Sequence, residues 1–248
     1  MRAWQGKKYW LVGASDGIGR ALAMQLSRAG AEVIVSARSE DKLLDLVASL
    51  PGRSRHVVMD VTDAQSVRDA VAVVGPVDGL VYLAGAFTGM GAKDFDGDLA
   101  ARITDVNLGG AMRVVGAVLP QMLAKDDGHI VLTGALCTKA GFPGDLAFGA
   151  GKAGLLHFAR SLEAELRDTK VVLRVIEPGF VRTATTAQND FGMPFAIGPE
   201  SAGREYFEAM NDDSFYRSFP VPMSWLARLG ALLPRRLWAQ VFALFRDR

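Results

Sequence analysis

Short apolar runs alternate along this chain with segments whose apolar residues recur at helical spacing. The apolar runs predict buried strands at residues 9–12, 31–37, 55–59, 78–83, 129–133 and 171–176. The segments between them predict helices, among them residues 40–50, 98–124 and 147–167. Because the strands are continuously apolar rather than alternating, we expect a parallel sheet covered by helices on both faces. The pattern therefore predicts an α/β, doubly wound fold.

Two of the helices carry a more detailed prediction. In the helix over residues 40–50 the spacing predicts one apolar face, formed by Leu43, Leu44, Val47 and Leu50. The next helix runs to about Val74, and Thr62 or Asp63 is placed to cap its first turn. These features predict how each helix meets the sheet.

The first strand ends in a glycine-rich loop, Gly13-Ala14-Ser15-Asp16-Gly17-Ile18-Gly19, and a helix follows it. Gly13 permits a sharp turn, Gly17 lets an anion approach the backbone, and Gly19 lets the helix pack closely on the strand. The free N–H groups at the start of the helix then face a phosphate. The loop predicts a dinucleotide site, with an ordinary tight turn as the alternative interpretation.

Composition narrows the possible functions. The 248 residues carry a net charge of +1, so no overall field attracts nucleic acid. The single cysteine, Cys137, excludes an intramolecular disulfide, and the three histidines form no ligand-spaced cluster, so we expect no metal site. Neither a long apolar span nor a secretory segment is present, and we expect a cytoplasmic protein.

Six signals, taken in order, resemble the short-chain dehydrogenase/reductase family. They are Gly13-x-x-x-Gly17-Ile18-Gly19, Asp60-Val61-Thr62, Ala84-Gly85, Asn107, Lys152 and Pro178-Gly179-Phe180-Val181-Arg182-Thr183. The resemblance covers residues 7–183 and continues to Pro220. It implies a Rossmann-type sheet with strand order 3-2-1-4-5-6-7, in which residues 214–219 form the seventh strand.

The same resemblance implies which residues hold a nicotinamide nucleotide. Asp60 and Val61 would contact the adenine, while Val181 and Thr183 would hold the nicotinamide carboxamide. The whole implied set is Gly13, Ser15, Asp16, Gly17, Ile18, Gly19, Arg38, Asp60, Val61, Ala84, Gly85, Lys152, Pro178, Gly179, Val181 and Thr183. A strand-end cap at Asp60 and a turn residue at Thr183 are the alternatives.

Charge at the end of the second strand favours NADP(H) over NAD(H). NAD-binding relatives place an acid there for the ribose hydroxyls, whereas a 2′-phosphate needs a cation. Here Ala37 and Arg38 end the strand with no acid before Glu40, so Arg38 is the expected phosphate ligand. Asp16 opposes this choice, because its carboxylate would repel the phosphate. A solvated Arg38 is the alternative interpretation.

The resemblance also implies a catalytic centre, and there the chain departs from the family. The family places a proton-donating tyrosine four residues before the lysine, a serine thirteen residues earlier, and a supporting asparagine on a helix. Asn107 and Lys152 match, but Phe148 and Ala135 stand at the tyrosine and serine positions, and Leu83 replaces an asparagine. Losing a positioned general acid costs about 10²–10⁴ in rate. We therefore expect altered or weak catalysis.

Two functions remain open on these residues. One is an oxidoreductase acting on a carbonyl or alcohol of a small apolar substrate, and the other is a non-catalytic nucleotide-binding pseudoenzyme or partner subunit. The apolar segment 186–199 falls where the family has its mobile substrate loop, which indicates an apolar ligand. A substitute proton donor would come from Thr133, Cys137, Thr138, Lys139 or Tyr82.

Beyond Pro220 the pattern predicts an amphipathic helical extension. We divide the chain into a dinucleotide-binding part, residues 1–220, and an extension of the same domain, residues 221–248. One apolar face holds Trp225, Leu226, Leu229, Leu232 and Leu233, and a second holds Leu237, Trp238, Val241, Phe242 and Phe245. Five arginines against one aspartate give the extension a net charge of +4. We expect it to face the core or a second copy in a homo-oligomer; a substrate lid and a membrane-surface anchor are alternatives.

Overall fold

The computed structural model describes residues 3–234 and 237, except residues 140, 143, 185, 189–191 and 194. Seven parallel strands form one sheet in the order β3-β2-β1-β4-β5-β6-β7. They are β1 Lys8–Val12, β2 Glu32–Ala37, β3 Ser54–Val58, β4 Gly79–Tyr82, β5 Gly128–Thr133, β6 Val171–Pro178 and β7 Tyr216–Phe219. The predicted fold class and strand order are confirmed, with β7 beginning at Tyr216.

Helices cover both faces of this sheet. They are α1 Gly17–Arg28, α2 Glu40–Ser49, α3 Ala64–Val74, α4 Gly97–Thr104, α5 Gly110–Lys125, α6 Leu146–Leu166, α7 Pro199–Asn211 and α8 Val221–Leu232. Side chains of β1 alternate between two cores, so that Leu11 packs with α1, α2 and α7, and Trp10 packs with α3, α5 and α6. This two-sided burial explains why the strands are apolar throughout.

The predicted apolar face of α2 is wrong at one position. Leu44 is 48% exposed, whereas Leu46, which the sequence analysis left out, is fully buried beside Leu43. Leu43, Leu46 and Leu50 follow the i, i+3, i+7 spacing and pack with the residues of β2. The helix is therefore rotated so that Leu44 points to solvent.

The single helix predicted over residues 98–124 is interrupted. A π-helical turn, Asp105–Gly109, separates α4 from α5 and contains Asn107. The hydroxyl of Tyr82 donates a hydrogen bond to the carbonyl of Val106 at 2.6 Å, inside this turn. Such single turns widen a helix and recur at functional sites. The turn places Asn107 beneath the end of β4.

Helix α7 was not predicted from the sequence, although Pro199 at its first position is an ordinary start signal. It packs against α1 very closely. A Cβ atom added to Gly203 would lie only 2.6 Å from the Cβ of Ala21. Since α1 begins at the glycine-rich loop, α7 supports the helix that presents this loop.

Of the predicted apolar face of α8, Leu226 packs inward, but the fully buried contacts come from other residues. Met223 and Ala227 are buried against Leu136, whereas Trp225 and Leu229 are each 58% exposed. The side chains of Trp225 and Leu229, which the sequence placed on the buried face, therefore point outward. The predicted second helix, from residue 235 onward, lies outside the described residues apart from Leu237. Among the helices that are described, none has the length and apolar character needed to cross a bilayer.

Candidate functional site

A cavity of about 470 Å³ opens beyond the carboxyl ends of β1, β4, β5 and β6. The order of the strands reverses between β1 and β4, and ligands of doubly wound sheets bind at this edge. Except for Asn107, every site residue predicted from the sequence lines the cavity: Gly13, Ser15, Asp16, Gly17, Ile18, Gly19, Arg38, Asp60, Val61, Ala84, Gly85, Ala135, Phe148, Lys152, Pro178, Gly179, Val181 and Thr183. The fold thus brings them together from all parts of the chain.

The glycine-rich loop has the geometry that the sequence predicts. Gly13 and Gly17 have φ angles of +91° and +54°, which side chains disfavour. A Cβ atom on Gly13 would collide with the backbone of Ala84, and one on Gly17 would lie 2.8 Å from Thr183 Cγ2. A Cβ on Gly19 would lie 2.5 Å from the carbonyl oxygen of Gly13. Each glycine is therefore required by a close approach of backbone or side chain.

Asp16 has two local partners. Its carboxylate caps α1 by accepting a hydrogen bond from the N–H of Gly17 at 2.6 Å. Lys42, in the first turn of α2, places its ammonium 3.7 Å from the same carboxylate. Lys42 is not among the predicted site residues, and its charge partly offsets the negative charge of Asp16 that we expected to oppose a phosphate. Because both side chains are exposed, solvent screens this pair.

Asp60 and Arg38 lie at the cavity ends of β3 and β2. Partial burial raises the pKa of Asp60, but hydrogen bonds from the backbone and hydroxyl of Thr62 and the charge of Arg38 outweigh it, so the pKa is lowered. Asp60 is therefore ionised at neutral pH.

The cap of α3 is Asp63, which accepts a hydrogen bond from the N–H of Gln65 at 2.7 Å. Of the two caps predicted for this helix, Thr62 and Asp63, the prediction therefore holds for Asp63.

Lys152 and Asn107 form a polar floor beneath the cavity. Lys152 is buried, and its ammonium donates to the carbonyl of Thr133 at 2.8 Å. Burial lowers the pKa of Lys152 to about 8. The amide nitrogen of Asn107 donates to the carbonyls of Ala86 and Ile103 at 2.7 and 2.9 Å. Its buried Oδ1 has no hydrogen-bond partner among the described residues and lies close to the backbone of Gly85, where an added Cβ atom would be 3.2 Å from it.

Hydrocarbon side chains form the cavity wall next to this floor. The ring of Phe148 packs edge-on against Phe87 at 5.5 Å between centroids, and the ammonium of Lys152 lies 5.7 Å from the ring of Phe148. Further apolar residues on the wall are Leu83, Ala135, Leu136, Phe142, Phe180 and Met223. This end of the cavity suits an apolar group.

Three of the five candidate substitute donors do not line the cavity. Tyr82 is buried with its hydroxyl bound to a carbonyl of the π-helical turn, and burial raises its pKa. Thr138 donates to the carboxylate of Glu177, and Lys139 lies 3.5 Å from it. Thr133 does line the cavity, but its hydroxyl donates to the carbonyl of Tyr82 at 2.7 Å. Cys137 is thus the remaining candidate.

Cys137 lies beside a carboxyl group that the sequence analysis missed. Asp145 lines the same cavity and caps α6 by accepting from the N–H of Gly149 at 2.8 Å. Burial raises the pKa of Asp145 to about 6, although hydrogen bonds from the Cys137 thiol and from Gly149 oppose the shift. Burial and the Asp145 carboxylate raise the pKa of Cys137. An acid directly before a predicted helix is a capping signal that could have identified Asp145.

The loop after β6 closes the other side of the cavity. The hydroxyl of Thr186 donates to the carbonyl of Val181 at 2.6 Å and accepts from the N–H of Thr183 at 2.9 Å. Val181 also pairs with Ile197 in an isolated bridge. Phe191 and Pro194 of the predicted apolar segment lie outside the described residues.

Known proteins similar to this chain point to one family. Residues 7–192 match the model of the family described as short chain dehydrogenase. An uncharacterized oxidoreductase of Myxococcus xanthus (strain DK1622) is 34% identical over 235 residues, covering 92% of this chain and 93% of that protein. The 3-oxoacyl-[acyl-carrier-protein] reductase FabG of Salmonella typhimurium (strain LT2) is 32% identical over 207 residues, covering 82% and 85%.

Solved structures show the same likeness. A structure described as a short chain dehydrogenase/reductase family protein superposes with a TM-score of 0.80 at 28% sequence identity. The match covers 88% of this chain and 97% of that one. The similarity therefore extends over nearly the whole fold, including the strands that border the cavity.

Proposed function

The chain belongs to the short-chain dehydrogenase family, whose members bind nicotinamide cofactors, and we propose that it is an NADP(H)-dependent oxidoreductase with weakened catalysis. Its substrate would be a small apolar molecule with a carbonyl or alcohol group. The observation that carries the proposal is the single cavity shared by the glycine-rich loop, Arg38 and Lys152. The name of the Salmonella relative, a 3-oxoacyl reductase, supports a carbonyl as the reacting group.

The cofactor end of the cavity fits a nucleotide bearing a 2′-phosphate. The left-handed backbone at Gly13 and Gly17 leaves space for a pyrophosphate, and the N–H groups of α1 that follow Gly17 would face it. Arg38 lines the cavity, and Ala37 offers no carboxylate that would repel a phosphate. Lys42 counters Asp16 from the adjacent helix. These charges favour NADP(H) over NAD(H).

The inner end fits a nicotinamide ribose. Lys152 supplies a buried ammonium, and the unpartnered Oδ1 of Asn107 supplies an acceptor for a water beside it. When bound, the cofactor would supply or accept a hydride at its nicotinamide ring. The residues of this chain would hold the ring in place and exclude water from it.

The substrate end explains why we propose weak catalysis. Phe148 and Ala135 stand where the family has its tyrosine and serine, and both present hydrocarbon to the cavity. Losing the general acid alone would cost about 10²–10⁴ in rate, or roughly 3–5 kcal/mol of barrier. The same two residues support a second candidate function, a pseudoenzyme that binds the nucleotide without turnover.

One experiment separates these two functions. The purified chain is titrated with NADPH while cofactor fluorescence is followed, and a panel of activated carbonyl compounds is then added. We expect saturable binding and slow consumption of NADPH. Binding without consumption across the panel would favour the pseudoenzyme, and absence of binding would reject both functions.

A further inference from the structure

Asp145 is the cap residue directly before α6, and it lines the substrate end of the cavity. It precedes Phe148 by three residues and Lys152 by seven, so all three belong to one side of the first helical turns. All three also line the cavity. The loop before Asp145 is held by a hydrogen bond from the N–H of Met90 to the carbonyl of Gly144 at 2.8 Å. The carboxyl is therefore placed by backbone contacts on both sides.

Two neighbours orient this carboxyl group. Its Oδ1 accepts from the N–H of Gly149, and a Cβ atom on Gly149 would lie 2.8 Å from its Oδ2. A glycine directly after Phe148 thus leaves the space that the second oxygen occupies. The thiol of Cys137, two residues after Ala135, donates to the same carboxyl. Asp145 is therefore tied to both segments in which the family's hydroxyl groups are absent.

We infer that Asp145, oriented by Cys137 and Gly149, donates the proton that the substrate oxygen needs when a carbonyl is reduced in this cavity. The inference rests on the proposed oxidoreductase function. In the step, a hydride from bound NADPH forms the new C–H bond at the carbonyl carbon, and the carboxyl O–H proton passes to the carbonyl oxygen. The products are the alcohol, NADP⁺ and an Asp145 carboxylate, which takes a proton back from solvent.

The electrostatic surroundings suit this role. With a pKa of about 6, Asp145 is protonated in roughly a tenth of molecules at neutral pH. General acids work best when the pKa lies near the working pH. Besides each other, Asp145 and Cys137 have two charged or titratable neighbours among the described residues, Lys152 and Glu177, of which Lys152 favours and Glu177 disfavours a Cys137 thiolate. Because the pKa of Cys137 is raised well above its usual value, the thiol orients the acid rather than replacing it.

The main test is Asp145→Asn, which keeps the helix cap because an asparagine oxygen also accepts from a backbone N–H. The matched control is Asp96→Asn, which changes the cap of α4, where Asp96 accepts from the N–H of Leu99 at 3.0 Å. NADPH binding is measured by fluorescence, and single-turnover oxidation of bound NADPH by diacetyl is followed across the pH range.

We expect Asp145→Asn to bind NADPH as the parent does and to oxidise it about 10²-fold more slowly, the low end of a general-acid contribution. Reduction requires the protonated acid. The parent's rate should therefore fall as the pH rises above about 6, and this fall should be absent in Asp145→Asn. Asp96→Asn should keep the parent's rate and its pH profile.

A second variant moves the carboxyl without removing it. Gly149→Ala adds a methyl group against Oδ2 of Asp145, while alanine raises helix propensity by about 1 kcal/mol over glycine. We expect slower reduction in a protein that is folded and no less stable. A structural role for Asp145 alone would not produce this combination.

A readout without cofactor uses Cys137, the only cysteine of the chain. Because the Asp145 carboxylate raises the pKa of the Cys137 thiol, Asp145→Asn should give more thiolate and faster alkylation by iodoacetamide at mildly alkaline pH. In Asp96→Asn, Cys137 should be alkylated at the same rate as in the parent. An unchanged alkylation rate in Asp145→Asn would show that the pair is not formed and would overturn the inference.

The outcomes separate this inference from the proposed function. If the parent oxidises NADPH and Asp145→Asn does so at the same rate with the same pH profile, the inference is wrong and the oxidoreductase function stands. If the parent binds NADPH but never oxidises it, both the inference and the oxidoreductase function are wrong. If Asp145→Asn binds NADPH as the parent does but oxidises it slowly and at a rate that does not depend on pH, both the inference and the oxidoreductase function are supported.

Discussion

Arg38 and Lys42 place two cations at the end of β2, but they differ in what they contact. Arg38 lines the cavity and lowers the pKa of Asp60 by its charge, whereas Lys42 lies 3.7 Å from Asp16. We therefore expect Arg38 to bind the 2′-phosphate of NADPH and Lys42 to balance the charge of Asp16. The two residues offer a matched pair of substitutions.

Arg38→Ala should remove most of the preference for NADPH over NADH. A hydrogen bond between charged groups contributes about 1.5–3 kcal/mol, which corresponds to roughly 10- to 10²-fold in affinity. Lys42→Ala should reduce NADPH affinity less, because Lys42 does not line the cavity. Fluorescence titration with both nucleotides measures the effect. Equal or tighter binding of NADH by the unmodified chain would disprove the charge argument.

Restoring the two absent hydroxyl groups should raise the rate of reduction. Phe148→Tyr supplies a phenol whose pKa the nearby ammonium of Lys152 can depress, and Ala135→Ser supplies a partner for the substrate oxygen. We expect the double variant to reduce diacetyl at least about 10²-fold faster than the parent. A parent that already works at the rate of the double variant would show that its own proton donor is fully effective. A double variant that binds NADPH and stays inert would show that the pocket has diverged further.

At the scale of elements, α8 joins the cavity to the surface. Its buried side carries Met223, which lines the cavity, and Ala227, which packs on Leu136. Its outer side carries Trp225, Leu229 and Leu232, of which Leu232 is 81% exposed. The described part of the extension therefore has one apolar side on the cavity and another toward solvent.

Removing residues 221–248 should leave a folded sheet, because all seven strands are complete at Phe219. Loss of Met223 opens the cavity, so we expect cooperative unfolding together with greater binding of an apolar dye. If the outer face of α8 joins two copies of the chain, the truncated protein should have a lower mass in solution. Trp225→Gln changes that outer face without opening the cavity, and should lower the mass in the same way. A truncated chain with unchanged mass and unchanged dye binding would contradict this prediction.

At the scale of the whole molecule, folding buries two carboxyl groups whose pKa values it raises. Burial raises the pKa of Glu177 to about 7, although the charge of Lys139 and a hydrogen bond from Thr138 oppose the shift. The pKa of Asp145 is raised to about 6. Both values lie above those of the unfolded chain, near 4. The folded state therefore binds these protons more tightly than the unfolded state does.

The free energy of unfolding should accordingly fall as the pH rises from about 4.5 to about 7.5. A raised folded pKa gives stability that is complete below the unfolded pKa and lost as the pH passes the folded pKa. For Glu177 the shift corresponds to at most roughly 3 kcal/mol. Carboxyl groups whose pKa is lowered on folding, such as Asp60 and Asp78, change the free energy of unfolding only below this pH range. Urea unfolding across the range measures the trend.

Glu177→Gln should flatten most of that pH dependence, because the amide keeps the shape and cannot ionise. Asp145→Asn should remove a smaller part, since Asp145 is less deeply buried than Glu177. A parent whose stability is constant or rises between about pH 4.5 and 7.5 would contradict the assignment of these two shifts.

The sequence by itself determined the parallel sheet and the glycine-rich loop. The sheet follows from continuous apolar runs separated by helices, and the loop follows from Gly13 and Gly17, which both have positive φ. The strand order was implied by the resemblance to the family, and the structure confirms it. Most of the predicted cofactor residues follow strands in the chain, and parallel strands bring their carboxyl ends to one edge. The meeting of these residues in one cavity could therefore be predicted from the sequence. Asn107, Phe148 and Lys152 lie on helical segments, and their positions depend on how those segments pack on the sheet.

Only the tertiary structure decided which polar groups face that cavity and in what state. Tyr82 was a candidate donor in the sequence, but its hydroxyl is buried against the π-helical turn. Asp145 was overlooked, because a cap and a buried acid share the same sequence signal. Its raised pKa arises from burial within the folded protein, and the residue before it, Gly144, accepts a hydrogen bond from Met90, which follows a different strand. Burial and contacts between distant segments are properties of packing, so local periodicity does not contain them.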